Sequence, residues 1–208
     1  MTTEKYKNKY RIQSNRLQGW NYGCNSAYFI TICTHRRELF LGRVENGKMQ
    51  LSGIGLLANR IWVEISNHFP FVESDNFVIM PNHVHGIIAI NKTGDGNYDC
   101  DDQYCRNAIN RVSTIPTIPT IPMETIGSKI QRGGITGNKN PMLYKNLATI
   151  IRWYKGRVSF ESHKIQPYFK WQSNYHDHII RNEVEYIRIK KYIINNPLNW
   201  KEDKFFHL

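Results

Sequence analysis

The chain is short of the features that mark secreted, disulfide-bonded or membrane-spanning proteins. Its 208 residues hold four cysteines, Cys24, Cys33, Cys100 and Cys105, too few for a disulfide framework. Reduced thiols in a cytoplasm are the simpler reading. Cys100 and Cys105 lie close together, but no second pair mirrors them as a zinc knuckle requires. No apolar run is long enough to cross a bilayer. The N-terminus lacks the apolar core of a signal peptide; it is polar and carries Lys5, Lys7, Lys9, Arg11 and Arg16. Acidic residues are also scarce. Asp and Glu total 17 against 28 Lys and Arg, a net charge of +11. That excess favours a polyanionic partner, because basic side chains gain affinity by releasing counterions from phosphates. A generically basic protein would carry the same sign.

The length suits one domain with elaborations and a substantial core. Tyr28-Phe-Ile-Thr-Ile-Cys-Thr34 is β-branched and aromatic, and reads as a strand. A shorter extended stretch runs from Glu38 to Val44, and Asn46-Gly47 turns the chain into Lys48-Met-Gln-Leu51. Ser52 is placed to cap a helix in which Ile54, Leu57, Ala58, Ile61, Trp62, Ile65 and Phe69 recur at helical spacing, ended by Pro70. Phe77-Val-Ile-Met80 and His85-Gly-Ile-Ile-Ala-Ile90 read as two more strands. Residues 91–141 then change character, rich in Gly, Asn, Thr and Pro, with Thr-Ile-Pro repeated at positions 114, 117 and 120. Proline at every third position disfavours helix and interior strand, so an extended insertion is expected. Leu143, Leu147, Ile150, Ile151, Tyr154 and Val158 mark a second amphipathic helix. Phe169 to His178 looks extended. A last helix begins at Asn182, with Glu185 completing a capping box, and stops at Pro197. This order predicts an α+β fold: a ferredoxin-like or RRM-like two-layer sandwich of packed helices on a mainly antiparallel sheet. The expected organisation is a basic tail over 1–19, one domain over 20–200 interrupted at 91–141, and a C-terminal tail over 201–208.

His83-Val84-His85 is the sharpest local feature. Residues i and i+2 of a strand share a face, so both imidazoles project together, and two such histidines make half of a divalent metal site. They also suit a solvated polar strand face. His176-Asp177-His178 is a rival pair with a charged centre, beside Tyr175 and Arg181, suited to nucleic acid or metal. On the last helix Tyr186, Ile187, Ile189, Ile193 and Ile194 form a broad apolar face. Tyr192 falls off it, with Glu185, Arg188 and Asn196. Tyr192 and Asn196 stack one turn apart. From spacing alone Tyr192 reads as a boundary residue with its ring half buried. Arg152, Lys155 and Arg157 on the second helix, with His178 and Arg181, are candidate DNA contacts; a solvated helix face explains the first three equally well.

Met80-Pro-Asn-His-Val-His-Gly86 resembles the HUH motif of single-tyrosine transposases. The likeness extends upstream to Tyr28-Phe-Ile-Thr-Ile-Cys-Thr34. Downstream it takes in Tyr175-His-Asp-His-Ile-Ile-Arg-Asn182 and Tyr192-Ile-Ile-Asn-Asn-Pro197. Together, over roughly Trp20 to Trp200, these resemble the REP-associated tyrosine transposase branch of the insertion-sequence 200-like family. The resemblance implies a ferredoxin-like nuclease core. It makes His83 and His85 metal ligands, Tyr192 the nucleophile and Asn196 the third ligand. The insertion at 91–141 is not part of that pattern. Mg²⁺ or Mn²⁺ suits a mixed imidazole and amide site. The implied reaction is cleavage and rejoining of single-stranded or hairpin DNA through a 5′-phosphotyrosine, by a monomer or homodimer in a prokaryotic cytoplasm at the nucleoid. Three alternatives stay open: a domesticated repeat-hairpin binder without turnover, an HUH replication initiator or relaxase-like nuclease, and a hydrolase in which water attacks.

Overall fold

A computed structural model describes residues 16–17, 20–92 and 145–206. The expected insertion, with Cys100, Cys105 and the Thr-Ile-Pro repeat, lies almost wholly outside the described residues. So do Leu143, His207 and most of the basic N-terminal stretch. Four strands form one sheet: β1 (Ser26–Cys33), β4 (Val72–Met80), β5 (His83–Ile90) and β6 (His176–Ile180). Their order is β4-β5-β1-β6, and every neighbouring pair is antiparallel. A small hairpin, β2 (Gly42–Glu45) with β3 (Lys48–Leu51), stands apart from it. Three helices complete the described fold: α1 (Gly53–His68), α2 (Leu147–Ser162) and α3 (Glu183–Asn195). β1-α1-β4 and β5-α2-β6 are two split β-α-β units, each lending a strand to the middle of the other. That is the ferredoxin-like arrangement the sequence predicts.

Strand alternation sorts the two faces. Tyr28, Ile30 and Ile32 of β1 and Val84, Ile88 and Ile90 of β5 point into the main core. There they meet Ile61, Trp62 and Ile65 of α1 and Ile150, Ile151 and Tyr154 of α2. Gly86 lies under Trp62: a Cβ there would come within 2.2 Å of the indole, so the indole sits flat on the strand only because residue 86 has no side chain. The opposite face carries Ala27, Ile87 and Ile180, covered by Ile189 and Ile193 of α3. The expected two-layer sandwich therefore has a further helix on its second face.

Local signals explain most boundaries. Ser52 Oγ accepts from Gly55 N at 3.0 Å and starts α1. Asn46 (φ 51°) and Gly47 (φ 70°) both take positive φ, as a two-residue primed hairpin turn demands. Asn182 Oδ1 accepts from Glu185 N at 2.8 Å and caps α3. The return half of the expected capping box is displaced, since Glu185 Oε2 accepts from Arg181 N instead. Two strand expectations need correction. β4 begins at Val72, five residues before the apolar run. Glu73, Ser74, Asp75 and Asn76 are polar and half-buried, and a bulge between Ser74 and Phe77 breaks the alternation, so no apolar pattern marks this part of the edge strand. The run from Phe169 to His178 is not continuous strand; only Trp171 bridges Thr34 before β6 starts at His176. Lys155 Nζ holds the carbonyls of Gln172, Ser173 and Asn174 at 2.6–3.3 Å, which takes that segment off the sheet.

Candidate active site

β5 delivers His83 and His85 to the α3 face, since Val84 between them enters the main core. Both imidazoles are buried, and their ring centroids lie 4.4 Å apart. Each is oriented by a neighbour. His83 Nδ1 is 2.8 Å from Asn82 Oδ1, and Asn82 Nδ2 donates to the carbonyl of Phe205. His85 Nδ1 is 2.9 Å from Thr31 Oγ1, its cross-strand partner on β1. With each Nδ1 engaged, Nε2 is the atom left on each ring to serve as a ligand. His83 Nε2 is buried and has no hydrogen-bond partner. Burial, with the nearby charges of Lys204 and Arg37, pushes the His83 pKa down to about 3. His85 is held well below its usual value by burial and by His83. Neutral imidazoles are the form that binds metal.

α3 brings the other half of the site. It is fixed at its start by His178, whose Nε2 lies 2.8 Å from Glu185 Oε1. Farther along, the Tyr186 hydroxyl donates to Asp75, at the β4 bulge, and Lys190 Nζ lies 3.5 Å from the same carboxylate. Ile189 and Ile193 seat the helix on the sheet. Ile187 and Ile194, expected on the apolar face, are instead exposed, because the sheet contact takes a narrower stripe than the sequence offered. Tyr192 then reaches His85, with its hydroxyl 3.2 Å from Nε2. One turn on, Asn196 is 2 % exposed. Within this chain α3 thus sets Tyr192 against His85, with Asn196 one turn farther along the same helix.

Asp203 was not anticipated. Residues 201–206, expected to begin a tail, fold back over the site after a short 3-10 turn at Trp200–Glu202. Phe205 packs against His83, the two rings tilted by 42° with centroids 4.6 Å apart. Asp203 Oδ2 accepts from the Tyr192 hydroxyl at 3.3 Å and from Asn196 Nδ2 at 2.9 Å. Its Oδ1 accepts from Phe205 N. Since the Asn196 amide must point its nitrogen at the carboxylate, its Oδ1 is the atom left buried without a partner. Ligand atoms of His83, His85 and Asp203 lie within 4.8 Å of one another. Two orphaned acceptors, a second imidazole and a carboxylate make a donor set suited to a divalent cation. Burial, followed by the charge of Asp203, pushes the Tyr192 phenol up to about 12.

The rival histidines do not converge. His176 is exposed, with Nδ1 3.0 Å from the carbonyl of Asp177, and His178 is taken by Glu185. The candidate DNA contacts also divide. Arg152, Arg157 and Arg181 are exposed, but α2 lies across the sheet from His83. Lys155 is occupied by the 172–174 carbonyls, and burial lowers its pKa to about 8. No described helix is long and apolar enough to cross a membrane.

Three comparisons bear on kinship. No family model matches the chain. An uncharacterized protein of Haemophilus influenzae is 33% identical over 207 residues, covering 99% of each chain. Among solved structures, a REP-associated tyrosine transposase bound to a REP hairpin superposes with a TM-score of 0.52 at 16% identity, over 93% of this chain and 77% of that one. At that identity the likeness is one of fold. A Deinococcus radiodurans protein provisionally described as a transposase is more distant, with a TM-score of 0.40 at 13% identity, over 88% of this chain and 97% of that one.

Proposed function

This chain belongs to one family with the Haemophilus influenzae protein, and we propose that it is a metal-dependent tyrosine transposase of the REP-associated kind. Its substrate on this reading is single-stranded or hairpin DNA in the cytoplasm. The observation that carries the reading is the Tyr192 hydroxyl, 3.2 Å from the Nε2 of one buried, neutral histidine and beside a second whose Nε2 has no partner. Boundary tyrosines have no need of such company.

His83, His85 and Asn196 would hold the divalent cation, with Asp203 as the charged member of the set. When bound, such a cation supplies positive charge to the scissile phosphate. The protein's own groups account for the rest. The phenol stays protonated before reaction, because its pKa lies near 12. Asp203 Oδ2 is the carboxylate placed to accept its proton. The phenolate oxygen attacks phosphorus, the P–O3′ bond breaks, and the 3′ oxygen leaves as a hydroxyl by taking up the proton that Asp203 received from Tyr192. The strand is then joined to Tyr192 through its 5′ phosphate. Because the new bond is also a phosphodiester, a 3′-hydroxyl from another end can reverse the step and rejoin strands without ATP. Asn182 and Glu185 act upstream by fixing where α3 starts and so where Tyr192 points.

The test is incubation with hairpin-bearing single-stranded DNA and Mn²⁺, followed by denaturing electrophoresis. Wild type should give a cut strand and a covalent protein–DNA adduct. Tyr192→Phe keeps the ring and should lose both, while still binding the hairpin. An adduct mapped to another tyrosine would overturn the residue assignment. Hairpin binding by wild type with no cleavage would favour a binder without turnover, and cleavage without any adduct would favour attack by water.

A further inference from the structure

α3 covers only part of the sheet's second face. The helix starts beside β6 at Asn182, reaches Asp75 on β4 through Tyr186, and meets His85 on β5 through Tyr192. It therefore packs over β4 and β5. On the other two strands the register sets Phe29 of β1 opposite His178 of β6, both on the α3 face. His176, opposite Thr31, lies on that face as well. Ala27, Ile87 and Ile180 are buried beneath Ile189 and Ile193. Phe29 and His178 are only half-buried, and His176 is exposed. These three residues mark an open wedge over β1 and β6.

Phe29 joins the wedge to the reacting centre. Its ring meets Tyr192 edge-on, at 83° and 6.0 Å between centroids, and lies 5.1 Å from the His85 ring. A partly open aromatic ring set into a flat sheet suits an unpaired base, because every base has a π face and stacking tolerates any sequence. A base inside a duplex has both faces taken by its neighbours. The rim of the wedge is basic. Asp177, between the two histidines, turns to the other face opposite Ile30. Glu185 is the acidic group at the rim, and it is held between His178 Nε2 at 2.8 Å and Arg188 Nη2 at 3.5 Å. Arg188 stands one turn before Tyr192 on the same side of α3, with 75 % of its side chain exposed. Packing against Ile87 and Ile180 alone would be served as well by an aliphatic side chain at position 29.

We propose that this wedge seats the single strand beside the cleavage point, with Phe29 as the stacking surface for the base next to the phosphate that Tyr192 attacks and Arg188 as a contact for a neighbouring backbone phosphate. The inference rests on the single-stranded substrate proposed above. Its test reads binding, in a Tyr192→Phe background so that no strand is cut. The probe is a fluorescein-labelled oligothymidylate of about 16 nucleotides, followed by anisotropy between about 50 and 200 mM salt. Phe29→Leu keeps an apolar side chain and loses the π face. It should weaken binding at least about fivefold, the low end of what one base–aromatic stack contributes. Phe29→Tyr should bind as the parent does, and affinity for a blunt duplex should not follow the single-strand loss. Arg188→Ala should lower the salt slope by about 0.7, the share of one phosphate contact. Parental affinity in folded Phe29→Leu, or equal losses on single strand and duplex, would overturn the base stack. An unchanged slope in Arg188→Ala would overturn the phosphate contact. If thermal melts show that Phe29→Leu does not fold, the same oligomer with 5-iododeoxyuridine is photocrosslinked to the parent. Adducts at Phe29 are then the expected result, and adducts only elsewhere would overturn the stack. No binding by the parent would sink the single-strand reading as well.

Discussion

Asp203 alters what His83, His85 and Tyr192 can do. Among the described residues it is the one carboxylate in the site, and it ties the helix that carries the tyrosine to the segment that covers the histidines. Asp203→Asn preserves its shape and removes its charge. If the carboxylate helps hold the cation, calorimetric Mn²⁺ affinity should fall at least about tenfold, the scale on which metal sites respond to lost partners. An unchanged affinity would leave Asp203 only the proton of Tyr192. The histidines make a pH prediction. His83 is depressed to about 3 from an ordinary value of 6.5, chiefly by burial. The unfolded chain therefore takes up the proton first, and its favoured state on acidification is the unfolded one. The contribution is complete above 6.5 and is lost as pH falls toward 3, and His85 acts in the same direction. In metal-free protein the urea midpoint should drop between about pH 7.5 and pH 5, and His83→Gln should flatten that drop. A midpoint equal at both values would show that these rings are hydrated.

At the scale of elements, the site depends on how closely α1 and α3 approach the two faces of β5. Gly86 sits between His85 and Ile87 and lies against Trp62. Gly86→Ala places a methyl within 2.2 Å of the indole. The overpacking should cost about 1–3 kcal/mol in denaturant unfolding. Because β5 is central, the displaced strand should carry His85 with it, so Mn²⁺ affinity should weaken in the same variant. A stable Gly86→Ala protein with full affinity would show that α1 gives way instead. The sequence rendered α1 well, because Ser52, the spacing of Ile54, Ala58, Ile61 and Ile65, and Pro70 all agree. It rendered the start of β4 poorly, because an edge strand with a bulge has no alternating pattern to read. The bulge is what places Asp75 under the Tyr186 hydroxyl and so pins α3.

For the molecule as a whole, a cation held by β5, α3 and the segment after Trp200, as proposed, would link three parts distant in sequence. Ligand binding to the folded state alone raises stability by about 2.7 kcal/mol at a hundredfold excess over Kd. For a chain of this size, a gain of that order shifts the melting temperature by roughly 5–10 °C. Mn²⁺ should therefore raise the melting temperature of dialysed protein and EDTA should lower it again. His83→Ala should abolish the shift. A shift that persists in His83→Ala would place the cation elsewhere.

The sequence alone determined which residues could share a face. Alternation of period two put His83 with His85, helical spacing put Tyr192 above Asn196, and the order of apolar segments gave the split β-α-β sheet, because these relations are local and set by backbone geometry. The excess of basic charge was equally legible, since charge is a sum over residues. Tertiary structure alone decided which faces meet. Tyr192 reaches His85 because α3 crosses the second face of the sheet, pinned by Asp75 and His178. Asp203 joins them because Phe205 finds burial against His83, and nothing near position 203 announces that contact in advance. Lys155 reads as a cation for phosphate, yet the nearest acceptors it finds are three carbonyls of its own chain. Contacts between residues far apart in sequence depend on how packing closes the chain, and no local pattern records them.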